Sequence, residues 1–442
     1  MNAVLTEPTV DTSQEVGLLD QKTITKTFKY PLILTNTQQR KLHSFLEKGK
    51  WLYNLCLHQR EYAFALSKKS PNLYKEWQKQ HLLKQGANAG TFSWQRAHSN
   101  LIQDMQKLYP DLKELPSGSI TSINDQARQA YSDFFDNIKK KVKTQKPSDK
   151  QYNDSFSLHY RQKDTVIQHN GKERYAKVFG FSKIAGDEGL KVRYFRPTKG
   201  IPGQQRIVWD GTNWYLCITA THVINHINTK TNSVGIDMGV TRWIQLSTGD
   251  FKESPPTLLK LDQKKRKMQR ALRRKIGGDT SKRQRQSNNY KKAYKKVAKI
   301  DKKIANTRHF YSKMYATEIA RDNGLICVEK LNIKNMTKSA KGTIEAPGTK
   351  VRQKAGLNRA ILMTAPYAFK TFLKQKSKEF GSTIIEVDPK YTSQTCSKCD
   401  FKDSHSRRTQ SEFVCTSCGY EANADQNAAV NILNKGMIKL EK

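Results

Sequence analysis

The chain reads Thr395-Cys-Ser-Lys-Cys-Asp400, then FKDSHSRRTQSEFV over 401–414, then CTSCGYEANADQNAAVNI over 415–432. Cys396/Cys399 and Cys415/Cys418 form two Cys-x-x-Cys pairs with fifteen residues between them. That spacing lets two tight turns face each other and present four thiolates tetrahedrally, so a structural Zn²⁺ is expected at Cys396, Cys399, Cys415 and Cys418. Seven positions after Cys418 stands Asp425, at the head of a segment, Asp425–Leu433, that reads as a helix. What that acid does depends on what the rest of the chain brings to it.

Across 442 residues, Lys and Arg number 79 against 39 Asp and Glu, a net charge of +40 with an isoelectric point near 9.9. A surplus of that size repels itself in a compact state and calls for a polyanionic partner. A ribosomal type of basic protein is the plainer alternative, but such chains are shorter and lack paired catalytic acids. The length suits about two to four domains. The first twenty residues, MNAVLTEPTVDTSQEVGLLD, are polar and acidic, unlike a signal peptide. No apolar run approaches the ~20 residues of a membrane span, and neither a lipid anchor nor a terminal basic amphipathic helix is seen, so no membrane is expected. Of seven cysteines, Cys56, Cys217 and Cys327 sit singly in apolar surroundings. Unpaired thiols beside a thiolate–metal site indicate a reducing cytoplasm without disulfides.

In chain order, residues 1–22 read as a disordered lead-in. Thr23–Leu34 reads as a strand that Pro31 would place at a sheet edge. Thr35 or Asn36, with Gln38 or Gln39 three positions on, can cap a helix over 38–66, in which Leu42, Phe45, Leu46, Leu52, Tyr53 and Cys56 follow helical spacing. Further helices end near Ile120–Lys141, where Ala127, Tyr131, Phe134, Phe135 and Ile138 form an apolar face. These aromatics read as core rather than a base-stacking platform. After the basic break KKKVKTQKPSDK (139–150) come the short strands SFSLHY, KVFGFS, LKVRYFR, QQRIVWD and NWYLCITATHV, with turn signals such as Asp210-Gly211. They suggest a small antiparallel barrel, packed by Trp209 and Trp214, that the strand at 23–34 joins.

From Ser233 the text SVGIDMGVTRWIQLSTGD reads as a strand, a glycine turn and a second strand opening an α/β domain. Leu258–Arg308 is the most basic stretch. Leu261, Met268 and Leu272 mark one helix face, and Tyr290, Tyr294, Val297, Ile300 and Ile304 another, with Gly277-Gly278-Asp279 between them. The lysines and arginines on this helical hairpin either form a solvated face or, with almost no acids to pair, track phosphates. Gly324–Leu331 has the apolar density of a central parallel strand ending on Glu329. Lys338–Arg352 reads as a mobile loop, Thr364–Glu379 as a helix, and STIIEVD as a strand leading into DPKYTSQ and the cysteine module.

Three acids thus share a setting: Asp237 after Val-Gly-Ile, Glu329 after Leu-Ile-Cys-Val, and Asp425 opening a helix. Singly they read as a turn residue, a strand-end ion pair and an N-cap. Carboxylates at the ends of apolar strands are costly to bury unpaired. Converging, they would form a hard-oxygen site for two Mg²⁺ ions, an arrangement suited to phosphodiester hydrolysis.

GIDMGV, LICVEKLNIKNM, DPKYTSQTCSKC, SRRTQSEFVCTSCGYEANADQNAAVNIL and the early FKYPLILTNTQQRKLHSFLEKGKWLYN resemble the TnpB (OrfB) family over about Thr23–Leu433. That family comprises insertion-sequence-encoded, RNA-guided DNA endonucleases related to compact type V CRISPR effectors. The resemblance implies an α/β multidomain protein with an RNase H-like RuvC nuclease domain (231–390 and 421–434, carrying the hairpin 258–308). A zinc ribbon (391–420) would be inserted into it, and 435–442 would be a tail. It further implies an antiparallel β-barrel wedge domain (23–36 and 145–228) and an α-helical recognition lobe (37–144). Asp237, Glu329 and Asp425 would be the catalytic, magnesium-binding acids, and Arg407 would contact the scissile phosphate. Implied partners are a structured guide RNA and double- and single-stranded target DNA, without a protein oligomer. A CRISPR effector with an array-derived guide, an RNA-guided repressor without cleavage, and a transposase proper are the rival readings. The chain departs from the family pattern at Asp400, where glycine is usual, at Ser406, where asparagine is usual, and in its longer lead-in.

Overall fold

The computed structural model describes residues 23–441 apart from 85–87, 143, 152–154, 161–166, 170–173, 225–229, 276–286 and 344. The lead-in and the Gly277-Gly278-Asp279 break lie outside the described residues. The chain divides into two compact units, Met1–Val223 and Ile224–Lys442.

The first unit opens on β1 (Thr23–Ile33), followed by α1 (Asn36–Lys69), α2 (Pro71–Lys79), α3 (Trp94–Leu108) and α4 (Ser117–Lys139). Strands β2 (Phe156–Tyr160), β3 (Ile167–Gln168) and β4 (Tyr175–Val178) come next. The short helix α5 (Ser182–Ala185) and strands β5 (Leu190–Arg193), β6 (Ile201–Trp209) and β7 (Trp214–Val223) complete it. Of the expected strand KVFGFS only the first two residues are extended, because the chain turns into α5 at Ser182.

Thr35 caps α1 by a reciprocal box: its Oγ1 accepts from the Gln38 amide and Gln38 Oε1 accepts from the Thr35 amide. All six apolar positions read from the periodicity of α1 are buried. On α4, Ala127 and Tyr131 are buried, whereas Phe135 and Ile138 are exposed. The apolar face of that helix is therefore narrower than its sequence suggests.

The seven strands are ordered β2-β6-β7-β1-β5-β4-β3, every pairing antiparallel. No pairing among the described residues joins β2 to β3. β1 is central rather than an edge strand. It pairs with β7 from Thr23 to Pro31 and with β5 at Leu32 and Ile33, so Pro31, which has no N–H to give, falls where the strand changes partner. Asp210 closes the β6–β7 turn by accepting from the Thr212 and Asn213 amides, with Gly211 at φ +87°. Trp209 and Trp214 are cross-strand partners, and His43 of α1 packs edge-on against both at 4.9 and 5.2 Å. Helices and sheet share one core.

The second unit begins with β8 (Ser233–Asp237), β9 (Arg242–Leu246), β10 (Phe251–Glu253), α6 (Pro256–Arg273) and α7 (Asn288–Asp322). It continues through β11 (Leu325–Glu329), α8 (Ile333–Met336), α9 (Val351–Thr364), α10 (Pro366–Phe380) and β12 (Thr383–Val387). It ends with β13 (Glu412–Val414), β14 (Glu421–Asn423) and α11 (Ala424–Leu440). Helix α9 begins inside the stretch read as a loop, and α11 extends to Leu440, into the stretch read as a tail.

The sheet order is β10-β9-β8-β11-β12: β8, β9 and β10 form an antiparallel meander, and β11 is parallel to both β8 and β12. Strand alternation assigns the two faces. Val234, Ile236, Ile326 and Val328 pack with residues of α7 and α10, whereas Leu325, Cys327 and Val387 pack with Ile432 of α11. Trp243 is fully buried, and its Nε1 donates to the Thr364 carbonyl at 2.6 Å, satisfying a group at the end of α9.

Helix α11 lies flush on the sheet because two positions carry no side chain. A Cβ at Gly235 of β8 would stand 2.0 Å from the Ala429 carbonyl oxygen, and one at Gly436 would stand 2.1 Å from Cys327 Sγ. Gly356, inside α9, faces open space instead. Gly235→Ala should therefore destabilise this unit by about 1–3 kcal/mol, the range for overpacking, while Gly356→Ala stabilises it by roughly 0.5–1 kcal/mol. Thermal unfolding of the two variants should shift in opposite directions.

Candidate active site

Asp237 and Glu329 are the last residues of β8 and β11. The parallel register pairs Cys327 with Gly235 and Val328 with Ile236, so the two acids stand side by side one step further on. By alternation each shares a face with Gly235 and Cys327, the face that α11 covers. Asp425 is in the first turn of α11, and it does not cap that helix. Asn423 does, its Oδ1 accepting from the Asp425 and Gln426 amides at 3.2 and 3.3 Å. The Asp425 carboxylate is thereby left free for other work.

The other two acids act on Asp237. Burial, then the negative charges of Glu329 and Asp425, push the Asp237 carboxyl up to about 7, against a smaller opposing pull from Arg407. Burial also raises Glu329, although Thr392 Oγ1 donates to its Oε1 at 2.7 Å and Lys435 favours its charge. Arg407 reaches into the cluster, its Nη2 donating to Asp425 Oδ1 and to the Gln410 carbonyl, both at 3.0 Å. All four residues singled out from the sequence thus come together.

Several residues of this site were not singled out. Thr392 is buried behind Glu329. Asn427 Oδ1 accepts from the Ser397 amide, and its Nδ2 donates to the Thr395 carbonyl. Asn431 Nδ2 donates to the carbonyls of Thr392 and Thr395. These two asparagines tie α11 to the 392–397 segment, which carries both Thr392 and the first cysteine. Their signal was present as Asn423, Asn427 and Asn431 at four-residue intervals, one face of a helix.

The four cysteines form a second site. Among the described residues they are the metal-ligand cluster, with all four Sγ atoms within 4.8 Å of one another. Cys396 and Cys418 are 3.8 Å apart and Cys399 and Cys415 3.6 Å apart, which fits a tetrahedron of bonds of ~2.3 Å and so a structural zinc ion. The surrounding core is small: Phe413 and Ala424, with Tyr420 at its margin. Asp400 adopts φ +58°, matching Gly419 at φ +70° in the second knuckle. The departure from glycine therefore leaves the turn intact, aspartate being tolerant of the left-handed region. His405 is exposed and hydrogen-bonds Asp403.

Residues 217–340 match the family described as "Probable transposase" (OrfB of IS605), and residues 367–432 the one described as "Cas12f1-like, TNB domain". "Putative RNA-guided DNA endonuclease InsQ" of Escherichia coli K12 is 32% identical over 326 residues, covering 74% of this chain and 76% of InsQ. The chain belongs to the TnpB (OrfB) family. "CRISPR-associated endodeoxyribonuclease Cas12f1" of Sulfoacidibacillus thermotolerans is 33% identical over 145 residues, 32% of this chain and 30% of that protein. A Cas12f1–sgRNA–target DNA complex superposes with a TM-score of 0.49 at 14% identity, covering 93% of this chain and 99% of that one. No helix among the described residues is long and apolar enough to cross a membrane.

Two outcomes follow from this geometry. A carboxyl raised to about 7 from an ordinary 3.8 contributes stability when protonated. That stability is complete below about pH 4 and is lost as pH rises through 7. Metal-free protein should therefore melt at falling temperature between pH 5 and 7.5 relative to Asp237→Asn, and Mg²⁺ should restore the loss at pH 8; parallel melting curves would count against the acid cluster. Elemental analysis should find stoichiometric zinc in the purified protein and none in the Cys396→Ser/Cys415→Ser variant.

Proposed function

We propose that this protein is an RNA-guided DNA endonuclease that hydrolyses target DNA beside a short flanking motif. The observation that carries the reading is the meeting of Asp237, Glu329 and Asp425 at one end of the sheet, in a chain whose relative InsQ is named for that activity. A meander of three strands followed by two parallel ones, with acids on β8, β11 and α11, supports an RNase H-like RuvC domain over 231–390 and 421–434. The 391–420 module is then a zinc ribbon inserted into it. The first unit would supply the wedge barrel (23–36 and 145–228) and the helical recognition lobe (37–144), which bind guide RNA and the target duplex. The prokaryotic cytoplasm is the expected setting.

Hard carboxylate oxygens suit magnesium. Two Mg²⁺ ions held by Asp237, Glu329 and Asp425 would supply an activated water and charge stabilisation at the leaving 3′-oxygen. The protein's own residues do the rest. Thr392 fixes the Glu329 carboxylate by its 2.7 Å hydrogen bond. Arg407 neutralises Asp425 and, exchanging that partner for the substrate, places a guanidinium on the scissile phosphate. The basic faces of α6 and α7, exposed at Lys264, Arg266, Lys267, Arg270, Lys291, Lys292, Lys295 and Lys296, track nucleic-acid phosphates. Sequence specificity comes from guide–target pairing, as in other RNA-guided systems.

The retention of all three acids speaks against a repressor without cleavage. The family match at 367–432 keeps a compact CRISPR effector as the second reading, and the two differ in the origin of the guide rather than in chemistry.

The test is cutting by guide-loaded protein. Asp237→Ala and Asp425→Ala should each lose more than about a hundredfold in rate while guide-dependent DNA binding is retained. Thr392→Val should lose about ten- to a hundredfold, as removal of an outer-shell partner does. Undiminished cutting by the two alanine variants would sink the assignment.

A further inference from the structure

A cleft of about 550 Å³ opens where β8 and β11 end, between the strand termini and α10. Its volume is within the ~300–1,000 Å³ range of pockets that enclose a small organic ligand. Glu329 is among the residues lining it, so the cleft opens at the same end of the sheet as the acid cluster, on the α10 face, opposite the α11 face that Asp237 and Glu329 share. Half-buried Met238, Leu331 and Ile333 contribute an apolar wall. At its mouth stands Tyr367, in the first turn of α10 and 77% exposed.

The charge of the rim is lopsided. Lys370, Lys374 and Lys378 recur every fourth residue along α10 and so share one face of that helix. Lys330 adds a fourth cation beside Glu329, while the acids lining the cleft are Glu329 and Glu386. Glu386 is held by both Lys370 and Lys374. An apolar wall, an unpacked aromatic ring and a cationic rim together match one ligand chemistry: a flat heteroaromatic ring carried on a phosphate chain.

We propose that this cleft is a nucleobase pocket. It takes one unstacked base of the single-stranded DNA next to the scissile phosphate, with Tyr367 stacking on the base and Lys330 and Lys378, the rim lysines outside the Glu386 ion pairs, facing the flanking phosphates. The pocket rests on the endonuclease reading and deepens it. Guide pairing chooses the site, and the pocket sets which phosphate of the separated strand lies against Asp237, Glu329 and Asp425. Anchoring a base turns a sliding strand into one with a fixed register.

The experiment uses full-length, guide-loaded protein on target DNA carrying 2-aminopurine at successive positions around the cut, with Ca²⁺ replacing Mg²⁺ so that the strand is bound but intact. One position, or two adjacent ones, should be quenched. The quenching should be lost in Tyr367→Ala and kept in Tyr367→Phe. Tyr367 is on the surface, so its removal leaves the core packed. Quenching at no position, or quenching that Tyr367→Ala leaves unchanged, overturns the pocket. A rise in hydrogen-exchange protection of residues 366–378 on guide loading alone, with no further rise when DNA is added, also overturns it, assigning the cleft to RNA. Wild-type cutting of the same target with Mg²⁺ is measured alongside. Cutting without quenching removes the pocket and leaves the nuclease standing, whereas absence of cutting removes the nuclease reading on which the pocket depends.

Discussion

The close seating of α11 on β8 and β11 is the constraint on which the second unit depends. Two absent side chains permit it: Gly235 gives way to the Ala429 and Leu433 backbone, and Gly436 to the thiol of Cys327. An ordinary side chain at either place would lift the helix, and with it Asp425, away from the two acids at the strand ends. The asparagines at 427 and 431 then hold the chain entering the cysteine module against the same helix. Backbone contact, acid placement and the seating of the metal module therefore follow from one helix–sheet interface.

That interface gathers negative charge in a protein of net charge +40. Two carboxylates close enough to raise the proton affinity of a third, buried one are unfavourable by themselves, and Arg407 offsets only part of the repulsion on Asp237. A site of this kind favours cations, which is the physical reason to read it as a metal site rather than as a set of structural ion pairs. The surrounding excess of lysine and arginine serves the opposite ligand, the phosphate chain, so the two charge patterns complement each other. The cysteine module adds no acid to the site. A metal held by its four cysteines would fold a segment with almost no core of its own, and the loop between its knuckles delivers Arg407 to Asp425.

Much of this was legible in the residues. The three acids and the cysteine pairs were identifiable because each combines a residue type with a local pattern: a carboxylate ending an apolar strand or opening a helix, or two thiols with two residues between them. Arg407 was reached through the family resemblance alone. The six core positions of α1 followed from periodicity. What was not legible depended on partners remote in sequence. Pro31 suggested an edge strand, yet a strand that changes partner can hold a proline in a central place. Phe135 and Ile138 matched the helical period of α4 but extend past its buried stripe. Thr392, Gly235 and Gly436 carry no chemical signature of their own, and their roles exist only where β8, β11 and α11 meet. The plainer alternative for Asp425, an N-cap, gives way to a local competitor, since the helix starts two residues earlier and Asn423 caps it.

The most direct test of the account is the chemistry of the cut ends. Wild-type protein loaded with its guide is incubated with matched target DNA and Mg²⁺, and the products are analysed by end-labelling and mass spectrometry. Hydrolysis at the Asp237–Glu329–Asp425 site predicts free 5′-phosphate and 3′-hydroxyl ends that form only when guide and target match. DNA ends joined to one another or to the protein, or cleavage that proceeds equally without RNA, would contradict it.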